Sequence, residues 1–285
     1  MSQAHAGESV PKDIGVASDK PVQIQAIKEN GPGTSTWWDP RGWQREKKFV
    51  ALNLASIGAL TVVGFSQWDY GTTKFRFRSE GWFGRNTDYG GADKLEHAWA
   101  GYALTSAYSG IYQQWGYSKE DALLRGAASS AAVLTLVEIG DGFSGRYGFS
   151  WQDMVMNFAG IGASYLRHTY PDFEKRVDFR IEWRPWETRS SNFFLTDSSS
   201  ERFLLAFKLG GFIDNPVMRA VDIQIGYYTR GYESKRHERR LGDKHRYGYA
   251  GIGLNVTYIL ERLTGSRAAG IFDYVQVPGT SITTR

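Results

Sequence analysis

Seven residues between positions 93 and 157 carry groups that a plain apolar core would not hold: Asp93, Lys94 and His97, then Glu138 and Asp141, then Asp153 and Asn157. Each set lies in a segment rich in Ala, Gly and Ser, and ionisable groups are costly to bury unpaired. If the three segments pack side by side, these side chains must meet and satisfy one another. Three chemistries fit such a set. His97, Glu138, Asp141 and Asp153 could ligate a divalent metal that activates water, because imidazole and carboxylate oxygens suit zinc, manganese or iron. A buried His–carboxylate pair could instead lock three helices together with no cofactor at all. Capture of a polar ligand is the third. Spacing does not decide among them, since no HExxH occurs and Asp93 and Asp153 also stand where helix caps are expected.

Other templates are excluded more simply. The chain has no Cys, which removes disulfides, thiolate catalysis and Cys-ligated zinc or iron–sulfur sites. It has no Gly-x-Ser-x-Gly elbow, P-loop or dinucleotide fingerprint. Ser144 and Ser150 come near His97 only if the helices pack as supposed, and nothing marks either as a nucleophile.

The elements that must position these groups follow from caps and periodicity. Gly90-Gly91 precede a helix running to about Gln114, with Asp93 expected as its N-cap and Glu96 at the third helical position. Small residues along it, such as Ala100, Gly101 and Ala103, allow close helix–helix approach. Ser118-x-x-Asp121 opens a second helix to about Ile139, whose last turn holds Glu138, where a negative charge opposes the macrodipole. Asp141 to Ser144 are expected to turn. Ser150 then caps a third helix with Asp153 completing a capping box, and Asp153, Asn157, Gly160 and Ser164 fall on one face.

Upstream, residues 49–65 form an uncharged run of 17 residues, at the lower limit for crossing a bilayer. A single span, an interfacial helix and a core helix are all compatible with it, while the mean hydropathy of −0.41 argues against a highly polytopic transporter. Trp37, Trp38 and Trp43 stand just before it beside Arg41, Arg45, Lys47 and Lys48, the mixture found at membrane–water boundaries. Residues 1–47 are otherwise rich in Gly, Pro and Ser and read as a flexible tail; Ala4-His5-Ala6 has the form of a cleavage site but no apolar h-region precedes it.

From Arg176 onward the period changes to two. Residues 177–183 alternate apolar and charged, and residues 203–209, 221–232 and 247–260 read as three further strands. The expected product is a small antiparallel sheet with its charged face in water. Eight strands would be needed for the smallest outer-membrane barrel, so about four do not close one. Between the last two strands, Arg230, Lys235, Arg236, Arg239, Arg240, Lys244 and Arg246 face only three acids, a surplus equal to the net charge of +4 of the whole chain. This loop is either a solvated hairpin tip or a contact for anionic head groups and phosphorylated glycans. No nucleic-acid motif accompanies it.

The domain expectation is therefore a flexible tail at 1–47, a membrane-associated helical bundle with the polar cluster at 48–172, an antiparallel sheet at 173–263 and an extended tail at 264–285. The fold class is α+β: a bundle of about four small-residue-rich helices followed by a small antiparallel β-sheet.

The run Gly90-Gly91-Ala92-Asp93-Lys94-Leu95-Glu96-His97, followed by Glu138-x-x-Asp141-Gly142-Phe143-Ser144, Tyr147-Gly148-Phe149-Ser150-x-x-Asp153 and Asn157-x-x-Gly160, resembles the YfiM-like family of bacterial envelope proteins. It is more distantly similar to VanZ-like membrane proteins, which join an Asp-Lys-x-x-His to a Glu and then to an Asp with an Asn four residues on. The stretches at 226–232 and 251–255 look like the sheet-forming end of longer YfiM-like members. The resemblance implies a Gram-negative envelope protein, often exported, with no established activity. No lipobox Cys is present, which leaves inner and outer membrane both open. The leading expectation is a non-catalytic, membrane-associated protein binding lipid or lipid-linked glycan; the alternatives are a metal-assisted hydrolase of an envelope lipid or glycan and a scaffold with envelope protein partners.

Overall fold

The computed structural model describes residues 43–184, 186, 200–232 and 244–284. Four long helices come first: α1 (Arg45–Gln67), α2 (Ala92–Gln114), α3 (Lys119–Gly142) and α4 (Trp151–Thr169). After the short α5 (Pro171–Arg176) come strands β1 (Val177–Trp183) and β2 (Glu201–Lys208), a single turn α6 (Pro216–Arg219), β3 (Val221–Arg230), β4 (His245–Leu254), α7 (Val256–Thr264) and β5 (Ser281–Thr283). The fold is α+β, as expected. The strands form one antiparallel sheet in the order β1-β2-β3-β4-β5.

Small residues set how the helices meet. A Cβ built on Gly160 of α4 would lie 1.8 Å from the carbonyl oxygen of Ala98 in α2, and one on Gly101 would lie 2.4 Å from that of Asn157. Backbones therefore touch where α2 crosses α4, and no larger residue fits. At the other end of the bundle, Tyr108, Tyr112, Tyr117 and Val133 form a core against Phe49, Leu52, Ile57 and Leu60 of α1. There the Tyr112 hydroxyl accepts from Asn53 Nδ2 at 2.9 Å and lies 2.8 Å from Ser129 Oγ, tying three helices through one polar point.

Local rules explain most helix ends. Ser118 Oγ accepts from Asp121 N–H at 3.1 Å and Ser150 Oγ from Asp153 N–H at 3.3 Å, the two caps read from the sequence. Asp93 does not cap α2. The cap position belongs to Gly91, whose φ of 94° suits a residue without a Cβ, and Asp93 falls in the first helical turn. Helix α3 runs through Asp141 to Gly142, so the turn begins later than its sequence suggests. The strand expected to reach residue 260 stops at Leu254 because Asn255 Oδ1 accepts from Tyr258 N–H and starts α7. The described part of the expected tail, residues 264–284, is not wholly extended: it turns through a 3-10 helix, Arg267–Asp273, before β5, a strand the sequence did not reveal.

The largest correction concerns which face of the sheet is inside. Asp178, Arg180 and Glu182 of β1 were expected in water, yet all three are buried, as are Asp222, Gln224 and Gln276. Arg180 donates to Asp178 at 2.7 Å, Asp222 at 2.8 Å and Gln276 at 3.0 Å, while Asp178 also receives Lys208 at 2.7 Å and Arg167. Arg167 reaches Asp273 at 2.8 Å as well, so α4, the sheet and the C-terminal segment share one ion network. Leu204, Ala206 and Tyr249 are buried on this same face, and the other apolar residues of the strands point the other way. Phe179, Ile181 and Phe203 pack against Ala92, Leu95 and Trp99 of α2, whereas Leu205, Ile223, Ile225, Ile252, Leu254 and Ile282 are exposed. Period-two alternation separates two faces without saying which one is buried.

Candidate functional site

Helices α2, α3 and α4 bring their ionisable side chains to one place. Lys94 of α2 is 1% exposed, and its Nζ lies 2.7 Å from Asp93 Oδ2, 2.5 Å from Asp153 Oδ1 and 2.8 Å from Glu80 Oε2. One turn along α2, His97 Nδ1 lies 3.2 Å from Asn157 Oδ1 and 3.5 Å from Glu138 Oε1, and its Nε2 lies 3.8 Å from Asp153 Oδ2. Glu138 and Asp153 are buried, while a quarter of the His97 side chain is exposed, so the imidazole forms the accessible side of the cluster.

Each position has a local cause. His97 sits one turn beyond Asp93 and Lys94 on the same helix. Glu138 lies in the last turn of α3, where it opposes the helix dipole; Ser150 N–H at the start of α4 donates to its Oε2 at 3.4 Å. In a full capping box Asp153 would have received that N–H. Instead Asp153 turns to Lys94 and His97, so its half of the box is exchanged for the cluster. Asn157 follows Asp153 by one turn of α4 and meets His97.

Asp141 is half-buried beside Tyr70 and lies farther out, within electrostatic reach of His97. Glu80 was not singled out from the sequence. It stands in the aperiodic connection before α2, where no spacing marks it, yet it completes the shell around Lys94. Ser144 and Ser150 are turn and cap residues: Ser144 Oγ donates to Trp68 O at 2.6 Å and accepts from the amides of Arg146 and Tyr147.

The electrostatics reflect burial and an excess of acid. Glu80, Asp93, Glu138, Asp141 and Asp153 face two basic groups, Lys94 and His97. Burial pushes the Glu138 carboxyl up to about 8 and that of Asp141 to about 7, against the pull of His97. It pushes Glu80 up to about 8 against Lys94. Burial opposes the charge on His97, but Asp153 and Glu138 outweigh it and lift the imidazole to about 9. Asp153 moves the other way, below the usual carboxylate range, because His97 and Lys94 overcome its burial. Lys94 stays charged: burial works against it, and Asp93, Asp153 and Glu80 raise it above its ordinary value.

The basic loop is only partly within the described residues; Lys235, Arg236, Arg239 and Arg240 lie outside them, as do Trp37, Trp38 and Arg41. Arg230, Lys244 and Arg246 are described, and all three are engaged. Arg230 donates to Thr229 O and lies over the Tyr228 ring; Lys244 donates to Thr87 O at 3.1 Å; Arg246 donates to Phe83 O. A cleft of about 420 Å³ opens beside the turn that joins α3 to α4, lined by Arg76, Phe77, Arg78 and Gly145. Its arginines are held by the carbonyls of residues 144–147 and by Asp88.

Two of the helices, α1 and α3, are long and apolar enough to cross a membrane. They differ in setting: 44% of the most apolar window of α3 is buried inside the bundle, against 6% for α1. Thus α3 is partly enclosed, with Leu124, Leu136 and Ile139 exposed, and α1 turns much of its apolar surface outward. No curated protein and no solved structure matches this chain at a significant level. Residues 79–169, about a third of the chain and a stretch that holds every residue of the cluster, match the family model of a predicted periplasmic lipoprotein, DUF2279, a bacterial envelope family of unknown activity.

Proposed function

We propose that this is a membrane-associated envelope protein whose outer surface contacts lipid and whose buried charges hold the fold together. One observation carries the reading: the sheet buries its charged face and leaves much of its apolar face exposed. Ion pairs lie behind the sheet and where α2 meets α4, while Val50, Leu54, Val62 and Phe65 of α1 and Ile225, Ile252 and Ile282 of the sheet are more than half exposed. A water-soluble sheet buries its apolar face; a lipid-facing one exposes it and keeps its polar groups within. Each such Ile or Leu side chain gains roughly 1 kcal/mol or more on leaving water. The match of residues 79–169 to a predicted periplasmic lipoprotein family supports the same envelope setting. Lipid-linked glycan is the variant of this reading in which a head group meets the basic loop.

Vesicle flotation tests it. The full chain should float with anionic liposomes in high salt, because the contact is apolar, and Val62→Glu with Phe65→Glu should leave it in the dense soluble fraction while circular dichroism is unchanged. A wild-type chain that stays with the soluble fraction would overturn the reading. A second reading, metal-assisted hydrolysis, is favoured by the meeting of His97, Glu138 and Asp153, and its first requirement is a bound ion.

A further inference from the structure

Two trios of ligand-type side chains have atoms within 4.8 Å of one another: Glu80, Asp93 and Asp153, and His97, Glu138 and Asp153. They are not equivalent. The first already holds a cation, since the Lys94 ammonium lies 2.5 to 2.8 Å from all three carboxylates. In the second, Glu138 is 1% exposed and its Oε1 has no hydrogen-bond donor among the described residues, although it points at His97 from 3.5 Å. The imidazole of His97 is the group nearest that oxygen, and a metal ion bound between them would satisfy it while taking the place of the imidazole proton.

We infer that His97, Glu138 and Asp153 form a binding site for one divalent transition-metal ion. One imidazole nitrogen and two carboxylate oxygens are a donor set for Zn²⁺ or Mn²⁺, not for a thiophilic ion. Metal–ligand distances of about 2.0–2.2 Å place the donor atoms of one ion at most about 4.4 Å apart. The observed spread is within a small side-chain rotation of that limit. Outer partners already orient each ligand, as metal sites require. Ser150 N–H holds Glu138 Oε2, Lys94 holds Asp153 Oδ1, and Asn157 Oδ1 faces His97 Nδ1. His97 turns Nδ1 toward Asn157 and Glu138 and Nε2 toward Asp153, so each ring nitrogen has a carboxylate beside it. The partly exposed imidazole gives the ion a route from solvent. This inference is independent of lipid contact, and either can fail without the other.

The test uses the full chain purified in detergent, stripped with chelator and titrated with ZnCl₂ or MnCl₂. Calorimetry and elemental analysis should give one ion per chain. The near-isosteric Glu138→Gln and His97→Ala should each weaken binding by more than the ~10–100-fold typical of losing an outer-shell partner. Glu80→Gln, which removes a contact of Lys94 alone, should keep the stoichiometry. Circular dichroism of the stripped variants separates loss of site from loss of fold, and Glu138→Gln carries the test if His97→Ala does not fold. A folded wild-type chain that takes up no ion, or variants that bind as tightly as wild type, would overturn the inference.

Discussion

The ammonium of Lys94 touches three carboxylates in a region closed to water, which makes it the side chain whose loss should be felt most. Lys94→Met keeps the length and removes the charge, stranding Glu80, Asp93 and Asp153. Breaking a buried pair by deleting one partner costs about 3–5 kcal/mol, and denaturant unfolding in detergent should show a loss of that size. A change below about 1 kcal/mol would mean that the carboxylates are already neutral and need no cation. At this scale much was legible from type and spacing. His97, Glu138, Asp153 and Asn157 were marked because each interrupts an apolar helical segment with a group that demands a partner, and they do meet. Asp93 was given two roles, of which one holds: Gly91 and not Asp93 caps α2, but the Asp93 carboxylate joins the cluster at Lys94. Glu80 was invisible because an aperiodic loop gives no face from which to infer burial.

At the scale of elements, the crossing of α2 and α4 depends on two glycines, and the claim can be tested against an internal control. Gly160→Ala places a methyl group against the carbonyl of Ala98 and should destabilise by at least the ~1–3 kcal/mol of overpacking. Gly162→Ala, two residues along the same helix and with open space around it, should be neutral or stabilise by up to ~1 kcal/mol through helix propensity. Equal effects at both positions would remove the close-approach explanation.

The sheet makes a separate prediction about pH. Burial works against the Asp178 charge, but Lys208, Arg167 and Arg180 outweigh it and hold the carboxyl below its ordinary range. A lowered carboxyl pKa adds stability above its unfolded value of about 3.9, and that stability fades as pH falls through the lower folded value. Asp178→Asn should therefore unfold at lower urea than wild type at pH 7, with the gap closing below about pH 4. A gap that stays constant down to pH 3 would show that the network adds nothing through charge. Helix caps at Ser118 and Ser150 were readable because capping is local. The end of β4 was misread for the same reason in reverse: residues 247–260 look continuous unless Asn255 is given its role as a cap. Burial of the charged face was not readable at all, since it depends on Arg167, Gln276 and Asp222 arriving from distant parts of the chain.

For the molecule as a whole, paired charges inside and an apolar surface on α1 and the sheet connect these observations. Small residues bring three helices close, their polar groups are paired inside, and the C-terminal segment adds Gln276 and Asp273 to the network behind the sheet. What remains outside is apolar along α1 and over part of the sheet. The most direct measurement places nitroxide labels at single sites and compares their collision rates with oxygen, which concentrates in lipid, and with a water-soluble nickel complex. The chain has no native Cys, so one introduced at position 225, 252 or 282 reports only its own surroundings. In liposomes all three labels should be accessible to oxygen and shielded from nickel, whereas a label at position 120, exposed at the polar start of α3, should show the reverse. Labels at the three sheet positions that collide with nickel as freely as the one at 120 would contradict a lipid-facing sheet.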